Sequence, residues 1–413
     1  MATHPRGMKV YVHGNNSEED LWYCIDLDDE ISVSLVAKIG CERDGGWALM
    51  GDHIYWAGGT NMKALDQLGR RSITSMDLLR HNISDKDLSK WETVSSSKKL
   101  PRENPRVFTL NNKIHVMGGS NSIYIPEDDD DNESDGDERV RHCGEVYNID
   151  THTWDLLAFN VKDYAGFSFN QTTALFMDHN KEIVALSYSL QMGRFLFYYV
   201  GTDDFIVEDH KTSFPLGPQS LKQEDYYQRR RRDILINTMM NVRPVVRDST
   251  LYWFTYDFYM YGYDFVQKQW FSSEEPVKKE KEKEELLSLP EPMDHFCPVS
   301  PILVDLYDDA SFLVIVPATG GKLGVAFLAV SKCTRTYSLT VSLKSSHTLS
   351  PTPDGLYFYP TDAMAILKYI GPSTMRGQSN PATVVQVLFR LSILAVYFEN
   401  NFLLRYLLPF SSS

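Results

Sequence analysis

The stretch Ile54-Tyr55-Trp56-Ala57-Gly58-Gly59 is echoed 60 residues later by Ile114-His115-Val116-Met117-Gly118-Gly119. Each is an apolar, β-prone run that ends on two glycines. Further along, Tyr147 stands seven residues before Trp154, and Tyr263 stands seven before Trp270. These two pairs are 116 residues apart, or two units of 58. Recurrence at a fixed period of this size marks a repeat architecture, a solenoid or a propeller, rather than a one-off fold.

Working outward from these anchors, related strands follow in order. The strand that precedes the glycine position spans Met8–Gly14, His53–Gly59, Lys113–Gly119, Lys181–Ser189, Ser249–Asp257 and Ser311–Pro317. The next strand of each unit centres on Tyr23, Met76, Tyr147, Tyr199, Tyr263 and Phe327, at separations of 53, 71, 52, 64 and 64 residues. Each unit has room for two more β-rich stretches, such as Arg106–Leu110 before the central pair and Thr153–Phe159 after it. Four strands per unit make the blade of a propeller. The runs Leu251–Tyr256 and Phe312–Val316 are almost wholly apolar. Strands covered on both faces read this way, and the β-branched and aromatic residues argue against a buried helix.

The two double-glycine runs, followed by Glu145-Val-Tyr-Asn-Ile-Asp-Thr-His-Thr-Trp154, resemble kelch repeats. That family pairs a double glycine with a later Tyr and Trp in units of about 50 residues. The resemblance covers roughly residues 8 to 345. Gly58, Gly59, Gly118 and Gly119 then let the chain turn where a Cβ would clash. Tyr147, Trp154, Tyr263 and Trp270 fill the wedge between neighbouring blades. The other units depart from the pattern: His13-Gly14 replaces the glycine pair in the first, Ile206 stands where Trp belongs in the fourth, and Gly320-Gly321 is displaced in the sixth. The resemblance implies an all-β propeller over residues 8–370, with six four-stranded blades. Residues 354–370 supply the strand that closes the ring against the first unit, or else begin a seventh blade.

Composition is compatible with this. The 413 residues are 43% hydrophobic and 12% aromatic, enough for a large core. The net charge of −14 is uneven: nine carboxylates fall between Glu127 and Glu138, and the remainder of the chain carries −5. Nucleic acid is not an expected partner, since no basic footprint exists. The five cysteines are scattered, which suits reduced thiols in the cytoplasm or nucleus. The N-terminus lacks the apolar core of a secretory signal.

Three charged insertions interrupt the repeats, at 120–142, 220–234 and 274–292. The acidic block Glu127–Glu138 lacks the ligand spacing of a calcium loop and reads as a solvated segment, with attraction of a basic partner or a cation as the alternative. The run Arg229-Arg230-Arg231-Arg232 is the candidate partner-binding patch; a charged surface helix or loop is the plainer reading. Lys278–Glu285 balances four lysines against four glutamates. Residues 371–413 form a polar linker and an apolar tail, in which Arg390, Glu399 and Arg405 interrupt the continuity a membrane span needs.

Catalytic signatures are missing at the level of sequence. The closest histidines, His4 and His13, are nine residues apart. His295, with Asp294 and Cys297, is the one local cluster, and a loop histidine accounts for it. No cofactor, metal or enzymatic activity is expected, the alternative being an enzyme with its site at the central channel. Neither the Tyr–Cys copper site of galactose-oxidase-type enzymes nor the Glu-x3-Asp-x3-His spacing of plant specifier proteins occurs. Resemblance to intracellular kelch proteins implies protein–protein recognition through loops on a propeller face. In some relatives that role is substrate recognition for a ubiquitin ligase, which here would be recruited from another chain.

Overall fold

The computed structural model describes residues 8–15, 19–28, 30–40, 42–61, 73–74, 77–95, 102, 105–119, 140–160, 174–178, 181–189, 194–200, 204–209, 226–277, 301–306, 311–318, 322–351 and 359–367. Two units are separated by their internal contacts, 1–366 and 367–413, and all but the first residue of the second lies outside the described residues.

Strands dominate. The first group is β1 (Met8–Asn15), β2 (Asp20–Asp26) and β3 (Ser32–Ile39). The second is β4 (Glu42–Met50), β5 (His53–Asn61), a short β6 (Ile73–Thr74), β7 (Leu78–Asn82) and β8 (Glu92–Ser95). The third is β9 (Arg106–Leu110), β10 (Lys113–Met117), β11 (Val140–Asn148) and β12 (Thr153–Asn160). The fourth is β13 (Ala174–Asp178), β14 (Lys181–Ser189), β15 (Arg194–Tyr199) and β16 (Asp204–Asp209). Helix α1 (Tyr226–Asn241) leads into β17 (Val245–Arg247), β18 (Thr250–Phe254), β19 (Met260–Asp264) and β20 (Gln269–Ser273). The sixth is β21 (Ile302–Asp305), β22 (Ser311–Ala318), β23 (Lys322–Cys333) and β24 (Ser338–Leu349), and β25 (Tyr359–Leu367) ends the described chain.

Neighbouring strands within each group pair antiparallel, giving four-stranded sheets, and in the second the short β6 adds a fifth strand by pairing with β5 beside β7. Two groups share one eight-stranded sheet, because β20 and β24 meet in a two-residue parallel bridge, Ser272 with Ser338 and Ser273 with Leu339. The first group has three strands of its own; its fourth is β25, which hydrogen-bonds beside β1. Within the expected closing segment 354–370, the described residues 359–367 form this one strand beside β1.

Apolar clusters lie between successive sheets. Tyr11, Trp22 and Trp56 join the first to the second, and Tyr55, Val107 and Tyr147 join the second to the third. Phe195, Phe197, Trp253 and Tyr263 join the fourth to the fifth, and Phe254, Phe271, Val314 and Leu328 join the fifth to the sixth. Val10, Val12, Leu313 and Val325 then join the sixth back to the first. This explains the apolar runs: β18 is buried along its whole length because sheets cover both of its faces.

Some boundaries shift from the sequence reading. The third strand of the second unit is Leu78–Asn82, not a strand centred on Met76, because the register pairs His81 with Ile54 as it pairs Tyr147 with Ile114. The acidic insertion ends before Val140, so 140–142 belong to β11. Part of the 220–234 insertion is helical, and 278–292 lies outside the described residues, as do Glu127–Glu138, Asp294, His295, Cys297 and the tail beyond 367. Among the described residues no helix is long and apolar enough to cross a membrane.

Candidate functional site

The double glycines are hinge points. Gly58, Gly59, Gly118 and Gly119 have φ of 74°, 90°, 66° and 89°, values that L side chains adopt only with strain. A Cβ on Gly58 would also sit 2.5 Å from the carbonyl oxygen of Arg102. Arg102 links the two hinges. Its carbonyl accepts the Gly59 amide at 2.8 Å, and its Nη1 donates to the Gly118 carbonyl at 2.8 Å. Its Nε lies 3.6 Å from Glu145 Oε1, with both side chains wholly buried.

Tyr147 faces Trp154 across β11 and β12, and Tyr263 faces Trp270 across β19 and β20, with ring centroids 5.1 and 5.0 Å apart. Trp154 donates its indole N–H to Ser95 of the preceding sheet at 2.9 Å. Trp91 does the same one unit earlier, donating to the Lys38 carbonyl at 2.8 Å, with His81 beside it in place of Tyr.

A charged constellation gathers at the double-glycine end of the first strands. Arg106 opens β9 and pairs in register with Met117, the residue before Gly118. Arg243, just before β17, donates from Nη2 to Asp362 Oδ2 of β25 at 2.9 Å and to the Val107 carbonyl at 3.5 Å. Asp362 also accepts the Ala363 amide on Oδ1 at 2.9 Å. Arg106 feels both charges: burial lowers its pKa first, Asp362 opposes this, and the Arg243 charge adds to the lowering. The residue as a whole is half-buried. The Nε atoms of Arg106 and Arg243 are buried with no hydrogen-bond partner. Arg243 thus holds the Asp362 carboxylate, within electrostatic range of Arg106.

Close by on β10, His115 is 1% exposed and stacks on Phe108 with ring centroids 4.7 Å apart. Neither ring nitrogen has a partner. Burial, with the Lys113 charge behind it, pushes its pKa down to about 3, so the imidazole is neutral.

The arginine run divides. Arg231 lies over the Tyr259 ring at 3.6 Å and donates to the Tyr261 hydroxyl at 3.1 Å, anchoring α1 on the fifth sheet, while Arg230 points to solvent. The side chains of Arg229 and Arg232 lie outside the described residues. Ile234, Leu235, Thr238 and Met239 are buried, so α1 is a packed helix with one exposed flank. Burial raises the pKa of Asp257 and that of Tyr261 beside this anchor.

Farther along β17, Arg247 pairs with Asp305, donates to the Ser311 carbonyl at 2.7 Å and covers the Phe312 ring at 4.0 Å. No group of three His, Cys, Asp or Glu is placed to hold a metal among the described residues. The sequence reading missed Arg102, Arg106, Arg243 and Asp362.

No family model matches the chain, and no curated protein matches it. Among solved structures, one described as "Structure of YjhT" is similar at 12% identity and a TM-score of 0.42, covering 83% of this chain and 99% of that one.

Proposed function

We propose that the chain is a six-bladed, kelch-type β-propeller that serves as a binding module for a protein partner, with specificity carried on the connections at the strand ends. One observation carries the reading. The first sheet packs on the second, the second on the third, the fourth on the fifth, the fifth on the sixth and the sixth on the first, and β25 pairs beside β1. In a propeller such packing leaves only short, protected sheet edges and gives a rigid frame. Rigid frames with variable connections serve recognition, since the connections change without cost to the core.

Affinity capture with the full chain tests this. Substitutions in the turns 51–52, 111–112 and 248–249 alter one set of strand ends, and Arg106 with the adjoining hinge marks the other. A stoichiometric partner lost with one set and kept with the other is the expected result. Partner recovery insensitive to both sets, or turnover of a small molecule by the purified chain, would overturn the proposal. Joint recovery of a ligase scaffold and one client would narrow the module to substrate recognition for ubiquitin transfer.

A further inference from the structure

We infer that β24, the last strand of the sixth sheet, carries an open edge that an extended, acidic segment of a partner protein joins as a further strand. The partner rests on the binding-module reading above; the edge rests on the strand itself.

The last strands of the first five groups, β3, β8, β12, β16 and β20, have four to eight residues each. Two of them are engaged by the next unit. The Lys38 amide of β3 donates to the Leu88 carbonyl and its carbonyl accepts from Trp91, while β20 is flanked by β24. β24 is the exception, at twelve residues. β20 reaches only Ser338 and Leu339; from Thr340 to Leu349, β23 is the one strand paired with β24 among the described residues. In an antiparallel ladder about half of such residues turn both N–H and C=O away from the paired neighbour. A row of this kind recognises another extended backbone. The side chains suit the role. Thr340, Ser342, Lys344 and Thr348 are exposed, whereas Val341 and Leu343 pack at the margin of the cluster between the fifth and sixth sheets. No proline interrupts the strand.

Charge selects the occupant. The chain carries −14, yet no Asp or Glu occurs from Ser311 to Pro353, where Lys322, Lys332, Arg335 and Lys344 all fall. Lys332 is taken up by Asp264 at 2.9 Å. Lys322, Arg335 and Lys344 are exposed, and none has an ion-pair partner among the described residues. They are spread along the strand: Arg335 in the turn before it, Lys344 near its middle, and Lys322 by its far end, where Leu323 pairs with Leu349. Lys344 is the extra residue of a bulge, since Phe327 pairs with Ser345 and Leu328 with Leu343. A lysine on a bulge discourages two identical edges from meeting, so a second copy is disfavoured. A segment bearing carboxylates meets the same cations as counter-charges, and the arrangement thereby discriminates between occupants. The attraction acts at contact, where the added strand displaces water.

Three probes test this: acetyl-Thr-Val-Asp-Val-Thr-Val-Asp-amide, its counterpart with Lys in place of Asp, and a form of the first N-methylated at its three central residues, which removes amide donors from both edges. Each is titrated into the full chain by fluorescence anisotropy, and amide hydrogen exchange locates the contact. The acidic peptide is expected to bind saturably, about 10-fold or more tighter than the lysine peptide, with new protection confined to residues 340–349. N-methylation is expected to weaken it about 10-fold or more, through the lost ladder bonds. Lys344→Glu is expected to reverse the preference between the two charged peptides, and Arg230→Glu, at an exposed arginine on α1, to leave it unchanged.

No saturable binding of the acidic peptide, binding indifferent to N-methylation or to Lys344→Glu, or protection outside 340–349 overturns the inference. Full protection across 340–349 in the free chain overturns it too. Protection that grows with protein concentration assigns the edge to a second copy; protection that vanishes when Glu127–Glu138 is replaced by Gly and Ser assigns it to the chain's own acidic segment. The two readings fail separately. Capture lost with the turn substitutions and kept with Lys344→Glu removes the partner from this edge, whereas capture lost with Lys344→Glu and indifferent to the turns keeps the edge and overturns the turn reading.

Discussion

His115 offers the sharpest test of the packing between the third and fourth sheets. Its ring is wedged against Phe108 and near Tyr198, with both nitrogens unpartnered and a pKa pushed down to about 3. In the unfolded chain the same imidazole titrates near its ordinary value of about 6.5. Between those two values the unfolded state binds a proton that the folded state refuses, so stability falls as pH falls. Relative to pH 7, the loss from this one residue is about 2 kcal/mol at pH 5 and about 3 kcal/mol at pH 4. His115→Leu removes the titration and keeps an apolar side chain of similar size. At pH 7 the exchange gains relief of two unmet polar atoms, about 1–3 kcal/mol, and loses ring stacking worth about 0.5–1.5 kcal/mol. The decisive quantity is the pH dependence, in which all other groups cancel between the two proteins. Urea unfolding followed by tryptophan fluorescence at pH 7 and pH 5 measures it, with equal slopes confirming that the unfolded reference is unchanged. The variant should lose about 2 kcal/mol less than the wild type over that interval. Equal losses would refute the reasoning, because they would mean that the folded protein accepts the proton on His115.

Two further expectations concern the hinge. Gly58→Ala should destabilise by about 2 kcal/mol or more, since left-handed φ is compounded by the close approach of the Arg102 carbonyl. Gly51→Ala, at a φ of 58° with nothing within 4 Å of the added Cβ, should cost only about 1 kcal/mol; thermal melts of the two isolate the clash from the backbone strain. Arg102→Met should cost about 3–5 kcal/mol by leaving Glu145 buried without its counter-charge. The double variant with Glu145→Met should recover a large part, and additive losses in that cycle would show that the two charges do not interact.

The features legible in the sequence are those that a single sheet imposes on neighbouring residues. Two glycines with positive φ must both be glycine, and they fall at the same step of the repeat. Tyr147 and Trp154 are adjacent across one turn, so the spacing of seven follows from strand length, as it does for Tyr263 and Trp270. The second unit hides the same arrangement because its turn is longer. Asn82, Asp85 and Asp87 each cap a backbone amide two residues on, which stretches the interval from His81 to Trp91 to ten. A search that fixes the spacing at seven cannot see it, whereas a pattern of an aromatic or His followed by Trp across a variable Asx-rich turn would have found it.

The charged constellation has a different origin, and that is why no motif announces it. Arg106, Arg243 and Asp362 come from three sheets, and their meeting depends on how β25 seats beside β1 and on how the first strands face one another. No local period constrains such residues; each looks like an ordinary polar residue at the edge of a strand. The basic run 229–232 drew attention by its composition, yet Arg231 spends its charge on the Tyr259 ring and the Tyr261 hydroxyl as an anchor for α1. A dense run of one charge on a surface is screened by salt and water, with a short reach.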